Sequence, residues 1–232
     1  MKRRLAWLFL ALMTLMTPAH ALASTVYESD MILVNKEYGL PQDYVPSDLT
    51  PANVAFAQGV AESKKQMRAD AARALEKMFS AALEEGIELL GVSGYRSYYT
   101  QRDIYNRRLA EMGEEHVSKY NAKPGQSEHQ TGLAMDVGCP GYTDLTERFA
   151  ETDAYRWLSE NAHQYGFIIR YTKGGEEETG YAFEPWHVRY VGAEATAIWK
   201  SGMTLEAYVA RKLRGISFAD LLPRLYPLDN VG

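Results

Sequence analysis

Residues 127–136 constrain the fold more than any other part of the sequence. Gly132 permits a sharp change of backbone direction just after His129, and the residues that follow alternate as in a short strand. The apolar side chains of that strand share one face: Leu133, Met135 and Val137. Asp136 points to the other face. Because a carboxylate on an apolar strand is costly to bury alone, the segment predicts either a structural His–Asp hydrogen bond or a metal site.

A second segment, residues 183–190, carries Glu184 and His187 three positions apart. In a regular strand such positions face opposite ways, but Pro185 interrupts the ladder, so the two side chains can converge at a bend. The alternative is a solvated glutamate and a histidine packed among aromatic residues. Together the two segments offer two histidines and an aspartate, with one glutamate to spare. Three protein ligands with one open position are typical of catalytic zinc.

The single cysteine, Cys139, excludes a disulfide scaffold and any zinc finger built on cysteine clusters. It lies three residues after Asp136, which makes it a candidate fourth ligand. We interpret it instead as a small buried residue, because a thiolate would fill the open position.

The formal net charge of −5, from 25 basic and 30 acidic residues, argues against a nucleic-acid partner.

The periodicity of apolar residues predicts an α+β fold. Helices are predicted over residues 63–85, 97–112, 153–165, 193–200 and 204–213, and strands over 31–34, 87–92, 133–137, 167–171 and 181–190. The polar stretch 114–128, which contains Pro124 and Gly125, predicts a loop. Because helices and strands alternate irregularly and the last two long strands form a hairpin, we expect one domain with a small, mostly antiparallel sheet flanked by helices.

The N-terminus has the pattern of a secretory signal peptide. Lys2 opens a basic run that precedes an apolar stretch over residues 5–16, and cleavage is expected after Ala23. The alternative is a membrane anchor, although the apolar stretch is short for a bilayer span of about 20 residues. The expected organisation is a signal peptide (1–23), a wrapping arm (24–60), a catalytic domain (61–215) and a tail (216–232). The mature protein is therefore expected outside the cytoplasm, in the periplasm, at the cell wall or secreted.

Four runs of this sequence closely resemble the VanY-type zinc D-Ala-D-Ala carboxypeptidases. They are Ser-Gly-Tyr-Arg-Ser at 93–97, Gln101, the spaced Ser-His-Gly-Ala-Asp pattern within 127–136, and Glu-Pro-Trp-His at 184–187. VanX dipeptidases, LdcB-type L,D-carboxypeptidases and hedgehog-like domains belong to the same wider group. The resemblance covers about residues 30–195.

The resemblance implies that His129, Asp136 and His187 hold one Zn²⁺ ion. It implies that Glu184 is the catalytic base for a zinc-bound water, and that Arg96 binds substrate and stabilises the oxyanion together with zinc. The implied reaction removes the C-terminal D-alanine from peptidoglycan stem peptides, with no obligate protein partner.

The resemblance also implies that Gln101 and Ser127 help to hold the terminal residue of the substrate. One alternative is an L,D-carboxypeptidase that acts on tetrapeptide stems, which the same motifs describe equally well. Another is a non-catalytic wall-binding module. The presence of Glu184 and Arg96 beside all the ligands argues against such a module, since a binding domain needs no base.

Overall fold

The computed structural model describes residues 29–213. The predicted signal peptide (1–23) and tail (216–232) lie outside the described residues. Between residues 29 and 213, no helix combines the length and the apolar character that a bilayer span requires.

Within residues 29–213, six strands form two antiparallel sheets. They are β1 (Leu49–Pro51), β2 (Gln66–Arg68), β3 (Leu90–Ser93), β4 (Ala134–Gly138), β5 (Phe167–Tyr171) and β6 (Glu184–Tyr190). Strands β1 and β2 pair with each other, and the main sheet has the order β3-β4-β6-β5 with every neighbour antiparallel. Strands β5 and β6 form the predicted hairpin.

In the described part of the chain, seven α-helices accompany the sheets. They are α1 (Ala69–Glu84), α2 (Tyr98–Met112), α3 (Glu114–Tyr120), α4 (Asp153–Asn161), α5 (Glu176–Thr179), α6 (Ala195–Ser201) and α7 (Leu205–Leu213). Short 3₁₀ helices cover Glu62–Lys65, Glu128–Thr131, Glu147–Glu151, Ala162–Tyr165 and Gly192–Glu194. The predicted α+β class, with a small antiparallel sheet and flanking helices in one domain, is confirmed.

The local sequence explains where helix α2 begins and ends. The hydroxyl of Ser97 accepts a hydrogen bond from the backbone N–H of Thr100 and caps α2. Gly113, at a φ of 79°, ends the helix in a conformation that other residues rarely adopt. Both residues lie at the ends of the helix predicted over residues 97–112. The first long helix was predicted to begin at residue 63, but residues 66–68 form β2 instead, because they pair with β1.

The strand predicted at residues 31–34 does not form. Ile32 and Val34 are buried in the core, yet their segment joins no sheet. The carbonyl oxygens of Asp30 and Ile32 accept hydrogen bonds from the guanidinium of Arg189, at 3.0 and 2.7 Å. A side chain therefore satisfies backbone groups for which a strand partner was expected.

The loop predicted for residues 114–128 contains α3. Glu114 and Glu115 lie in its first turn, where acidic groups stabilise a helix N-terminus. Lys119 lies 3.2 Å from Glu115, one helical turn away. Val117 is fully buried and anchors the helix, so tertiary packing stabilises a polar segment whose sequence alone predicts a loop.

Candidate metal centre

Three buried side chains meet on the main sheet. His129 lies on the 3₁₀ turn that precedes β4, Asp136 lies on β4, and His187 lies opposite Asp136 on β6. Asp136 and His187 are direct cross-strand partners, so their side chains share one face. One ligand atom from each of the three residues lies within 4.8 Å of the others. The fold therefore brings together the three residues that the sequence analysis selected as candidate metal ligands.

The separations of these atoms are close to those around a small tetrahedral cation. Asp136 uses one oxygen for each histidine: Oδ2 lies 3.3 Å from His129 Nε2, and Oδ1 lies 3.1 Å from His187 Nδ1. Zinc at its usual distances from nitrogen and oxygen would place neighbouring ligand atoms about 3.3 to 3.5 Å apart. Two imidazoles and a carboxylate are also donors that zinc prefers.

The charges of the three residues depend on one another. Burial acts to raise the pKa of Asp136, but the two histidines lower it well below its usual 3.8. Burial lowers the pKa of His129. Burial also acts to lower the pKa of His187, but its hydrogen bonds to Asp136 and Glu128 raise that pKa to about 9. At neutral pH and without metal, this raised pKa favours the protonated form of His187, between the carboxyl groups of Asp136 and Glu128.

Glycines shape the turn that carries His129. Gly132 has a φ of 70° and turns the chain from the 3₁₀ helix into β4, as predicted. The carbonyl of Gly94 lies 2.8 Å from His129 Nδ1. A Cβ on Gly94 would lie 2.5 Å from the carbonyl oxygen of Gln66, so only glycine brings this backbone so close.

Glu184 lies beside the group formed by His129, Asp136 and His187 but is not part of it. The register of β6 with β5 is irregular: Val188 pairs with Ile169, and Glu184 pairs with Tyr171. This bulge brings Glu184 Oε2 to 3.8 Å from His187 Nδ1, so the two side chains converge as predicted. Burial raises the pKa of Glu184 to about 7, a value suited to proton transfer near neutral pH.

Arg96 lies at the turn between β3 and α2, with its guanidinium 4.0 Å from Asp136 Oδ2. Its Nη1 donates to Gln101 Oε1 at 2.6 Å, and its Nη2 lies 3.4 Å from the hydroxyl of Ser93. Its Nε is buried and has no hydrogen-bond partner among residues 29–213. The guanidinium is thus held at the edge of the centre by Gln101 and Ser93.

Gln101 and Ser127, the two predicted contacts for the terminal residue of the substrate, have different surroundings. Gln101 is buried, and its amide nitrogen donates to the carbonyl of Ala122 at 2.6 Å while its oxygen accepts from Arg96. Both ends of Gln101 are therefore engaged within the protein. Ser127 is buried directly before the turn that carries His129.

Cys139 is buried, as we interpreted it, and is not part of the group formed by His129, Asp136 and His187.

Sequence reasoning missed a charged network behind His187. Glu128 is buried and contacts Arg170 and Arg189, and Arg170 continues to Glu206. Burial acts to raise the pKa of Glu128, but the two arginines lower it well below its usual value. Two arginines within otherwise apolar strands were the available signal, because a charge in such a position needs a buried partner.

Comparison with known proteins gives one consistent result. The profile of the VanY family, described as D-alanyl-D-alanine carboxypeptidase, matches residues 64–193. YodJ of Bacillus subtilis strain 168 is 47% identical over 184 residues, which cover 78% of this chain and 67% of YodJ. A solved structure of the LdcB LD-carboxypeptidase is 46% identical and superposes with a TM-score of 0.75, covering 79% of this chain and 87% of that one. A D,D-pentapeptidase VanY from a VanB-type resistance cassette, solved as a mutant in complex with Zn(II), is 33% identical. Its TM-score is 0.64, and the match covers 78% of this chain and 98% of that one.

Proposed function

The chain belongs to the VanY family of D-alanyl-D-alanine carboxypeptidases, and we propose that it is a zinc-dependent enzyme that removes the C-terminal D-alanine from peptidoglycan stem peptides. The observation that carries the proposal is the buried group of His129, Asp136 and His187 with Glu184 beside it. A purely structural cluster has no need of a carboxylate whose burial raises its pKa to about 7.

One Zn²⁺ would be held by His129, Asp136 and His187. The spacing of their ligand atoms and the mixture of two imidazoles and one carboxylate support this assignment. When bound, zinc supplies a Lewis acid that polarises the scissile carbonyl and makes water a better nucleophile.

Glu184 is the proposed general base. It takes a proton from the attacking water and returns a proton to the departing amine. In the metal-free protein, burial raises the pKa of this carboxyl group from 4.5 to about 7. Its Oε2 lies 3.8 Å from His187 Nδ1, beside the group formed by His129, Asp136 and His187, which does not include it.

Arg96 is proposed to bind the substrate and to stabilise the negative charge that develops on the carbonyl oxygen. Its guanidinium is permanently charged and rigid, and its contact with Gln101 fixes its direction. Removing one donor to such an oxyanion typically costs about 2.7 to 4 kcal/mol of transition-state stabilisation. Because both ends of Gln101 are engaged, we propose that it orients Arg96, while Ser127 remains a candidate contact for the terminal residue of the substrate.

The proposed place of action is outside the cytoplasm, since residues 1–23 have the pattern of a signal peptide and the proposed substrate is part of the cell wall. Retention of that segment as a membrane anchor is the alternative.

A second candidate function is removal of D-alanine from tetrapeptide stems by an L,D-carboxypeptidase. The likeness to the LdcB LD-carboxypeptidase supports it, because identity and TM-score are both higher there than for the zinc-bound VanY structure. The residues of the proposed catalytic centre serve either substrate, since both reactions hydrolyse a C-terminal amide.

The test is incubation of the purified protein with pentapeptide and tetrapeptide stems, with and without a chelator, and analysis of the products by mass. Loss of one alanine from the pentapeptide alone, abolished by the chelator, supports the first proposal. Loss from the tetrapeptide alone supports the second candidate. If neither peptide is cleaved while zinc is bound, the protein is a binding module and both proposals fail.

A further inference from the structure

We propose that Glu128 is a positioning residue that fixes the orientation of His187, so that Nδ1 of this histidine, and not Nε2, faces the metal. This inference rests on the proposed zinc site and extends it to a residue outside the ligand set.

The two oxygens of Glu128 have separate partners. Oε1 accepts from Arg170 Nε at 2.8 Å and from Arg189 Nη1 at 2.6 Å. Oε2 lies 3.3 Å from His187 Nε2. Glu128 and both guanidinium groups are fully buried, so no water competes for these contacts. One oxygen is occupied by the arginines, and the other is left for the histidine.

The polarity of the last contact follows from its neighbours. A carboxylate that receives two guanidinium groups is ionised and can only accept hydrogen bonds. His187 Nε2 must therefore carry a hydrogen and donate it to Glu128. In a neutral ring the free lone pair is then on Nδ1, which lies 3.1 Å from Asp136 Oδ1 on the side of the other ligands.

His129 shows the opposite arrangement. Its Nδ1 lies 2.8 Å from the carbonyl oxygen of Gly94, which can only accept, so its lone pair is on Nε2. The carbonyl oxygen of Gly94 thus accepts the ring hydrogen of His129, as Glu128 accepts the ring hydrogen of His187. The two histidines thus present different nitrogens to one centre, because different partners hold them.

The network behind Glu128 prevents its side chain from rotating. Arg170 also makes two hydrogen bonds to Glu206 of α7, at 2.8 and 2.6 Å. Arg189 also donates to the carbonyl of Ile32 in the N-terminal arm. The arm and the last described helix therefore stabilise the carboxylate that orients a proposed ligand, although neither contributes a ligand.

The test compares zinc affinity in Glu128→Gln and Glu128→Asp with that of the full-length wild-type protein, by competition with a chelator of known affinity. The amide of Gln would donate to His187 Nε2 and move the ring hydrogen to Nδ1. The shorter side chain of Asp keeps a negative charge beside the arginines but moves the carboxylate away from His187 Nε2. Loss of such a partner typically weakens metal binding by about 10- to 100-fold, and we expect that loss in both variants.

Met78→Ala is the control for lost stability, because Met78 is buried in α1 and takes no part in the network. It should lower the urea midpoint of unfolding and leave the zinc affinity unchanged. Nitrogen NMR of the imidazole rings in the zinc-loaded wild type should show the hydrogen of His187 on Nε2, which is a readout that needs no variant to fold.

The outcomes separate the two proposals. If the wild type binds no zinc, the proposed function fails and this inference fails with it. If the wild type binds zinc and the Glu128 variants bind it equally well, only the role of Glu128 is wrong. The role is also wrong if zinc-loaded His187 carries its hydrogen on Nδ1, or if Met78→Ala weakens zinc binding as much as the Glu128 variants do.

Discussion

Replacing Glu184 by Gln should change activity and stability in opposite directions. The amide keeps the shape of the side chain but cannot accept the proton of the attacking water. A general base contributes about 10²- to 10⁴-fold to a rate, so kcat should fall by that factor. At about 1.4 kcal/mol for each tenfold change, the loss is about 3 to 5 kcal/mol of transition-state stabilisation. Zinc content should not fall, because the ligand set does not include Glu184.

The gain in stability follows from the cost of burying the charge of Glu184. Burial raises its pKa from 4.5 to about 7, which corresponds to about 3 kcal/mol at about 1.4 kcal/mol for each pH unit. Because the folded-state pKa is the higher one, the metal-free folded protein loses this stability as the pH rises from about 4.5 past 7. Metal-free Glu184→Gln should therefore exceed the wild type by about 3 kcal/mol at pH 8 and match it at pH 4.

Two assays check the prediction: hydrolysis of a stem peptide by the zinc-loaded protein, and urea unfolding of the metal-free protein at pH 4 and pH 8. The matched control is Glu177→Gln on the exposed face of α5, where a surface change should stay within about 0.5 kcal/mol and leave kcat intact. A Glu184→Gln variant that hydrolyses at the wild-type rate, or that is less stable than the wild type at pH 8, would refute the reasoning.

Three other perturbations have defined outcomes. Arg96→Ala should lower kcat/KM by about 10²- to 10³-fold with no change in zinc content, as measured by steady-state kinetics and metal analysis; an unchanged kcat/KM would remove Arg96 from the mechanism. Zinc affinity should rise about tenfold for each pH unit between pH 6 and 8, because the proton of His187, with a pKa raised to about 9, must leave before Nδ1 can bind metal; a flat profile in chelator competition contradicts this. Gly132→Ala should cost about 1 to 3 kcal/mol in urea unfolding, because φ is 70° there and the new Cβ would lie 3.0 Å from Leu49 Cδ2; a wild-type unfolding midpoint would show that this turn is not strained.

Much of the fold could be predicted because its signals are local. Ser97 and Gly113 mark the ends of α2, and Gly132 marks the turn before β4. Alternating residues place Asp136 opposite the apolar face of its strand. The predictions that were wrong concern segments stabilised from elsewhere, such as α3, which depends on the burial of Val117.

The proposed site also has a part that could be predicted from the sequence and a part that could not. His129, Asp136, Glu184 and His187 were chosen from residue types, spacing and family resemblance, and the fold brings them together. Their roles stay predictions. The engagement of both ends of Gln101 was not foreseen, because one of its two partners is a backbone carbonyl 21 residues away in the chain.

The sequence by itself determined which donors are available and in which short segments they lie, because residue type and strand alternation are local properties. Only the tertiary structure decided which nitrogen of each histidine faces the centre. The partners that hold the other nitrogens lie 35 residues from His129 and 59 residues from His187. Such contacts depend on the pairing of distant strands and on buried charges that must compensate one another, and no local pattern contains that information.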